Sequence, residues 1–279
     1  MSPERLLASP EALEEFQQTL QASGLTISAL SCHGNPVHPD PAKAEEYHED
    51  MCNTVRLAEK LGVDTITCFS GCPGDCEASR YPNWVTCAWP DDNLDILKYQ
   101  WDKVLIPYWK SFAQSAKDCG VSKIALELHP GFSVYNVDTL KRLREAVGPE
   151  IGVNFDPSHL LWQGMEPVAV IRAFAGMIYH VHAKDVCIDR YNTARNGVLD
   201  TKHYSDETHR SWIFRTIGYG NDAKYWKDIF SELRKTGYDG TISIEHEDSL
   251  INRLEGLQHA VDMVKSCAIF AETSGMWWA

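Results

Sequence analysis

The feature that most limits what this chain can become is an alternation. Stretches with apolar residues at helical spacing take turns with short runs of branched and aromatic residues. In residues 10–23, Leu13, Phe16 and Leu20 share a helical face and Gly24 follows as a stop signal. Further helices are predicted over 45–62, 94–120, 137–148, 166–176, 225–237 and roughly 251–271, with Pro107 expected to kink the long third one. Strands are predicted over 26–32, 64–70, 123–129, 152–158, 177–185 and 240–248. Strict alternation implies parallel strands joined by helical crossovers, an α/β protein with six strands. No low-complexity linker divides the 279 residues, so one domain over 1–279 is expected.

In such proteins function gathers at the C-terminal ends of the strands. Here nearly every strand ends in a residue that can bind a metal or move a proton: Cys32 and His33, Glu127 and His129, Asp156, His180 and His182, and Glu245, His246 and Glu247. Side chains alternate faces along a strand, so Glu127 and His129 point the same way, as do His180 and His182, and Glu245 and Glu247. One face must point inward, where an uncompensated charge is costly. Glu127, Asp156, His182 and Glu245, from four strands in order, fit a divalent ion in six-coordinate geometry with positions open to water. Mn2+ comes first, with Mg2+ and Co2+ close behind and Zn2+ at lower coordination. The alternative is a set of independent strand-end residues that cap loops.

The charge balance narrows the partners. A formal net charge of -13 disfavours nucleic acid, because it repels phosphate backbones. No stretch is long and apolar enough to suggest a membrane span, and no basic-then-apolar leader opens the chain, so a cytoplasmic setting is expected. Nine cysteines, an odd number scattered through strand segments, argue against a disulfide framework. Cys68, Cys72 and Cys76 lie closest together, but their spacing lacks a second zinc-type pair, and a reduced loop is the simpler reading.

The segments ALSCHGNPVHP (29–39), TCFSGCPG (67–74), ALELHPG (125–131), GVNFDPSHLLWQG (152–164), HVHAKD (180–185) and ISIEHED (242–248) resemble the sugar-phosphate isomerase/epimerase family, the xylose-isomerase-like TIM barrels. The resemblance covers nearly the whole chain. It implies a (βα)8 barrel type lacking the first strand-helix-strand, since this chain starts inside the helix that follows them. It also implies a metal on Glu127, Asp156, His182 and Glu245, with the two glutamates as an acid/base pair, and a substrate or metal contact from His159 in the D-x-x-H motif.

The chemistry expected of such a site is proton transfer beside a metal-polarised carbonyl, through an enediolate, giving epimerisation or isomerisation of a small sugar. His129, two residues beyond Glu127, is either a base in its own right or a loop anchor. As a base it would suit a lyase that eliminates from a 3-oxo-glycoside or dehydrates an inosose. His33 is a substrate contact or a strand-end residue. Lys184 reaches substrate oxygens or pairs with a nearby carboxylate. The long connection 186–222 reads as a lid with Arg215 as a substrate contact, and Trp84 and Trp89 as an apolar wall. Apurinic-site endonucleases share the fold but need further zinc ligands and a DNA surface. A truncated, non-catalytic sugar-binding subunit, or a homo-oligomer, completes the alternatives.

Overall fold

The computed structural model describes residues 3–278. The described residues fall into two compact units, 3–155 with 177–181, and 156–176 with 182–278.

The first unit opens with helices α1 (Pro3–Ala8) and α2 (Pro10–Ser23). The Ser9 hydroxyl accepts from Ala12 N to start α2, and Gly24 at φ 67° ends it, the left-handed turn that only glycine adopts without strain. Strand β1 (Leu30–Cys32), helix α3 (Pro41–Leu61) and strand β2 (Thr65–Cys68) follow. Next come α4 (Asp92–Tyr99), a π-helical stretch (Gln100–Leu105), α5 (Ile106–Asp118), β3 (Lys123–Glu127), α6 (Val137–Val147) and β4 (Ile151–Phe155). Where a kink was expected, the helix widens instead. Pro107 has no N–H to give, and just ahead of it Ile106 N reaches back five residues to Trp101 O.

The strands β1 to β4 pair in parallel in chain order, and β4 pairs with the first part of β5 (Ile178–Ala183). All five residues of β4 are buried, as a strand covered on both faces requires. Its register shifts between Val153 and Asn154, which sets Asn154 opposite His180. Gly152 permits that arrangement: a Cβ there would meet the Tyr179 ring at 2.3 Å and Met177 O at 2.7 Å.

The second unit takes up the chain at Asp156. It holds α7 (Pro157–Leu161), α8 (Pro167–Ala173), the end of β5, β6 (Asp185–Ile188), α9 (Arg190–Asn196), β7 (Trp212–Arg215), α10 (Ala223–Lys235), β8 (Ile242–Ile244) and α11 (Arg253–Cys267). Glu245 N donates to Ala183 O at 3.2 Å, beside β8, which follows β5 in the sheet. All six expected strands form, β1 to β4 with the first part of β5 in the first unit, and the end of β5 with β8 in the second.

The 186–222 connection, expected as a lid, contains structure that was not foreseen. β6 and β7 form an antiparallel ribbon, with Asp185 opposite Arg215 and Ile188 opposite Trp212. Trp162, Val186, Trp212 and Phe214 make a buried cluster on it, joined by Leu161, Ile188 and Val198. Trp162 and Trp212 stack at 4.6 Å. Buried Arg210 lies over Trp212 at 4.7 Å and over Tyr204 at 4.3 Å. The loop back to α10 hangs on Asp185. Its Oδ1 accepts from Val186 N and Asn221 Nδ2, and its Oδ2 from Gly218 N, Gly220 N and Asn221 N, all at 2.6–3.1 Å. Among the described residues no helix is long and apolar enough to cross a membrane.

Candidate metal centre

In the second unit the strand ends bring three donors together. Asp156 follows β4 and caps α7, its Oδ1 accepting from Ser158 N at 2.8 Å. That bond commits one oxygen and leaves Oδ2 buried with no hydrogen bond, 3.4 Å from His159 Nε2 and 3.4 Å from Lys184 Nζ. His182, near the end of β5, places Nδ1 2.8 Å from Glu245 Oε2. Asp156, His182 and Glu245 each offer a ligand atom within 4.8 Å of the others, a possible metal-binding group.

Neighbouring residues hold Glu245 in place. Next to it, the His246 ring fits a notch at Gly256 of α11, where a Cβ would lie 2.0 Å from Nε2. His246 Nε2 and Thr216 Oγ1 are 3.1 Å apart. With His246 turned to that side, strand alternation turns Glu245 and Glu247 to the other. Both meet Lys184 there: its Nζ is 3.3 Å from Glu245 Oε1 and 3.1 Å from Glu247 Oε2. Lys184 is only 2% exposed and lies 4.6 Å over the Phe214 ring, which ties the ribbon to the acidic group.

Two other candidates, Arg215 and His159, have partners within the protein. The Arg215 Nε donates to Asp248 Oδ2 at 3.1 Å, and the same oxygen accepts from Thr216 N at 2.7 Å. Burial works against ionisation of Asp248, yet the N–H groups of Thr216 and Leu250 and the Arg215 guanidinium together hold its carboxyl below the ordinary value. His159 is almost fully buried, its ring edge-on to Phe214 at 5.4 Å.

In the first unit, Glu127 ends β3 and is 2% exposed. Asn154 Nδ2 donates to its Oε2 at 3.1 Å, and His33 Nε2 lies 3.7 Å from that oxygen. Glu127 and Asn154 are register partners across β3 and β4, so this bond follows from the pairing. Next to them is an aromatic surface that the sequence reading missed. The Phe69 ring lies 4.5 Å from His33, 5.0 Å from His129 and 4.4 Å from Phe132, stacked on the last. His129 Nδ1 is 2.6 Å from Pro130 O, so Nδ1 carries the hydrogen and Nε2 is the basic nitrogen. Trp84 packs on Tyr135 at 5.4 Å, and Trp89 is 75% exposed. Cys68 and Cys72 are buried and Cys76 is exposed, and all are free. Burial pushes the Cys72 thiol up to about 11.

A parallel α/β sheet with a carboxylate, a carboxylate and an imidazole at its strand ends defines a class of proteins, and the chain belongs to the xylose isomerase-like TIM barrel family, whose model matches residues 2–267. Of curated relatives, the uncharacterised protein YfiH of Bacillus subtilis is 43% identical over 265 residues, 94% of this chain and 84% of that protein. The inosose dehydratase of Geobacillus thermodenitrificans is 27% identical over 149 residues, 53% of this chain and 47% of that enzyme. The chain thus matches about half the length of that relative. Among solved structures, a xylose isomerase-like TIM barrel protein from Mycobacterium smegmatis in complex with magnesium superposes with a TM-score of 0.58, at 20% identity, over 92% of this chain and 80% of that one.

Proposed function

We propose that this chain is a divalent-metal-dependent isomerase or epimerase that moves a proton beside the carbonyl of a small sugar or sugar derivative. The observation that carries the reading is the cluster of Asp156, His182 and Glu245, with its buried Asp156 Oδ2 that receives no hydrogen bond. Oxygen and imidazole donors so arranged suit Mn2+, Mg2+ or Co2+, and Zn2+ at lower coordination. In this reading Glu127 is the fourth ligand, as its place at the end of β3 and the family pattern suggest. The bound ion supplies a Lewis acid that polarises the substrate carbonyl. The protein does the rest. Glu127 and Glu245 remove and return the proton. Lys184 supplies an ammonium donor to substrate oxygens and balances the acidic side chains. Phe69 and Phe132 offer a flat apolar face to the C–H side of a sugar ring, and His33 and His159 supply polar contacts.

A second reading has its own support. His129 has its tautomer fixed by Pro130 O, which suits a base at Nε2, and inosose dehydratases are among the relatives. Elimination of water would then replace proton return.

One experiment separates the two. The metal-loaded protein is incubated in D2O with a panel of ketoses and with an inosose, and products are read by mass spectrometry. An epimer or isomer that has gained one deuterium supports the first reading. A product lighter by one water supports the second and sinks the first. Activity that persists unchanged after complete chelation refutes both.

A further inference from the structure

Far from the strand ends in sequence, helices α3 and α5 of the first unit build a different site. His48 and Cys52 lie one turn apart on α3, and Cys52 Sγ is 3.5 Å from His48 Nε2. On the other side of the imidazole, Nδ1 is 3.1 Å from the Tyr108 hydroxyl on α5. That hydroxyl directs its hydrogen toward Met51 Sδ at 3.8 Å. It therefore accepts from Nδ1–H, and the lone pair of Nε2 faces the thiol. Burial pushes the Tyr108 phenol well above its ordinary range, so it stays protonated. Two rings hold the imidazole in place, Tyr108 edge-on at 5.7 Å and Phe112 edge-on at 6.4 Å. Nucleophile, base and orienting group thus stand in line, the arrangement that activates a thiol.

The site has room for a second molecule. His48, Cys52 and Tyr108 line a cavity of about 510 Å3, whose apolar walls are Pro36, Pro41 and Phe112 and whose one acidic lining residue is Glu45. Apolar walls and a carboxylate favour an uncharged guest over an anion.

We propose that Cys52 is a covalent modification site for small uncharged α,β-unsaturated carbonyl compounds, with His48 as its base and Tyr108 as the residue that positions His48. The Cys52 sulfur forms a bond to the β-carbon while the carbon–carbon π bond opens. The thiol proton passes to His48 Nε2 and from there to the α-carbon, so the imidazole is regenerated and no oxidant is needed. Burial raises the Cys52 thiol above its ordinary value, which makes the base essential. The cysteines at positions 76 and 87 are exposed, and they serve as internal references.

The full-length chain is treated with a small excess of N-ethylmaleimide at pH 7, and labelling of each cysteine is followed by peptide mass spectrometry. Cys52, although half-buried, is expected to react at least as fast as Cys76 and Cys87. In His48→Gln the Cys52 rate should fall about tenfold to a hundredfold while both references hold, in line with the loss of a general base. Tyr108→Phe should give a smaller fall in the same ratio. Unfolding is visible in the same data, because it would expose buried Cys68 and Cys72 to label, and His48→Asn is then used instead. Cys52 that reacts more slowly than both references in the wild type, or whose rate relative to them is unchanged without His48, overturns the proposal.

Discussion

Lys184→Met tests the balance of charge at the candidate centre. The ammonium is 2% exposed and lies 3.1–3.4 Å from oxygens of Asp156, Glu245 and Glu247. At an effective dielectric of about 20, one such pair is worth roughly 5 kcal/mol of Coulomb attraction. The contact to Glu247 counts for less, because that side chain is 51% exposed and screened by water. Burial of the ammonium offsets much of the remainder. Methionine keeps the length and the contact with Phe214 but leaves Asp156 and Glu245 without their cation, a loss of about 3–5 kcal/mol for a buried pair broken from one side. For a chain of this size that is a fall of roughly 5–9 °C in Tm. A divalent ion bound by the same carboxylates would replace the missing charge. The loss should therefore be full in EDTA and fall to less than half in millimolar Mn2+. The assay is urea or thermal denaturation of wild type and variant under both conditions. A variant within about 1 kcal/mol of wild type in EDTA, or an equal loss with and without metal, would refute the reasoning.

Two further perturbations test the second unit. Asp185→Asn sets an amide NH2 against N–H donors that a carboxylate oxygen now accepts, so two charge-assisted bonds are lost at about 1.5–3 kcal/mol each. Stability should fall by about 3–5 kcal/mol, with faster amide exchange at Gly218, Gly220 and Asn221; unchanged exchange there would count against the anchor. Glu232 on α10 meets Arg172 of α8 at 2.8 Å and Lys235 at 3.1 Å, and Arg172 above all holds its carboxyl at about 2, below its ordinary 4.5. A carboxyl depressed in the folded state contributes stability that is complete above the ordinary value and disappears as pH falls toward the folded one. The stability gap between wild type and Glu232→Gln should thus be widest above pH 5 and close between about pH 4.5 and 2; a gap that stays constant would contradict the assignment.

What the sequence made legible follows the period of the elements. Every main-sheet strand was visible because short apolar runs sit between amphipathic helices, and alternation correctly grouped Glu245 with Glu247, which share Lys184. The ribbon was invisible for the opposite reason. β6 and β7 have four residues each, too few to show a period, and their pairing joins segments more than twenty residues apart. Arg215 read as a substrate contact, and its ion pair with Asp248 was not legible because the two lie 33 residues apart. Phe69 directly follows a buried strand and reads as core, so nothing local marks it as a surface for His33 and His129. His48 and Cys52 show helical spacing, but the Tyr108 that orients the imidazole is 60 residues away.

The aromatic cluster on the β6–β7 ribbon has a consequence for how such a protein can change over generations. Trp212 and Phe214 of the 189–222 excursion pack on Trp162 and Val186 at its base, and Asp185 fastens its return. A segment anchored in this way at its base can gain, lose or exchange residues at its tip without any of the six main-sheet strands having to repack. Selection can then work on the tip and leave the scaffold and its acidic centre untouched. A transplant of the excursion should succeed when Trp162, Asp185 and Trp212 travel together, and fail when the graft is cut between them.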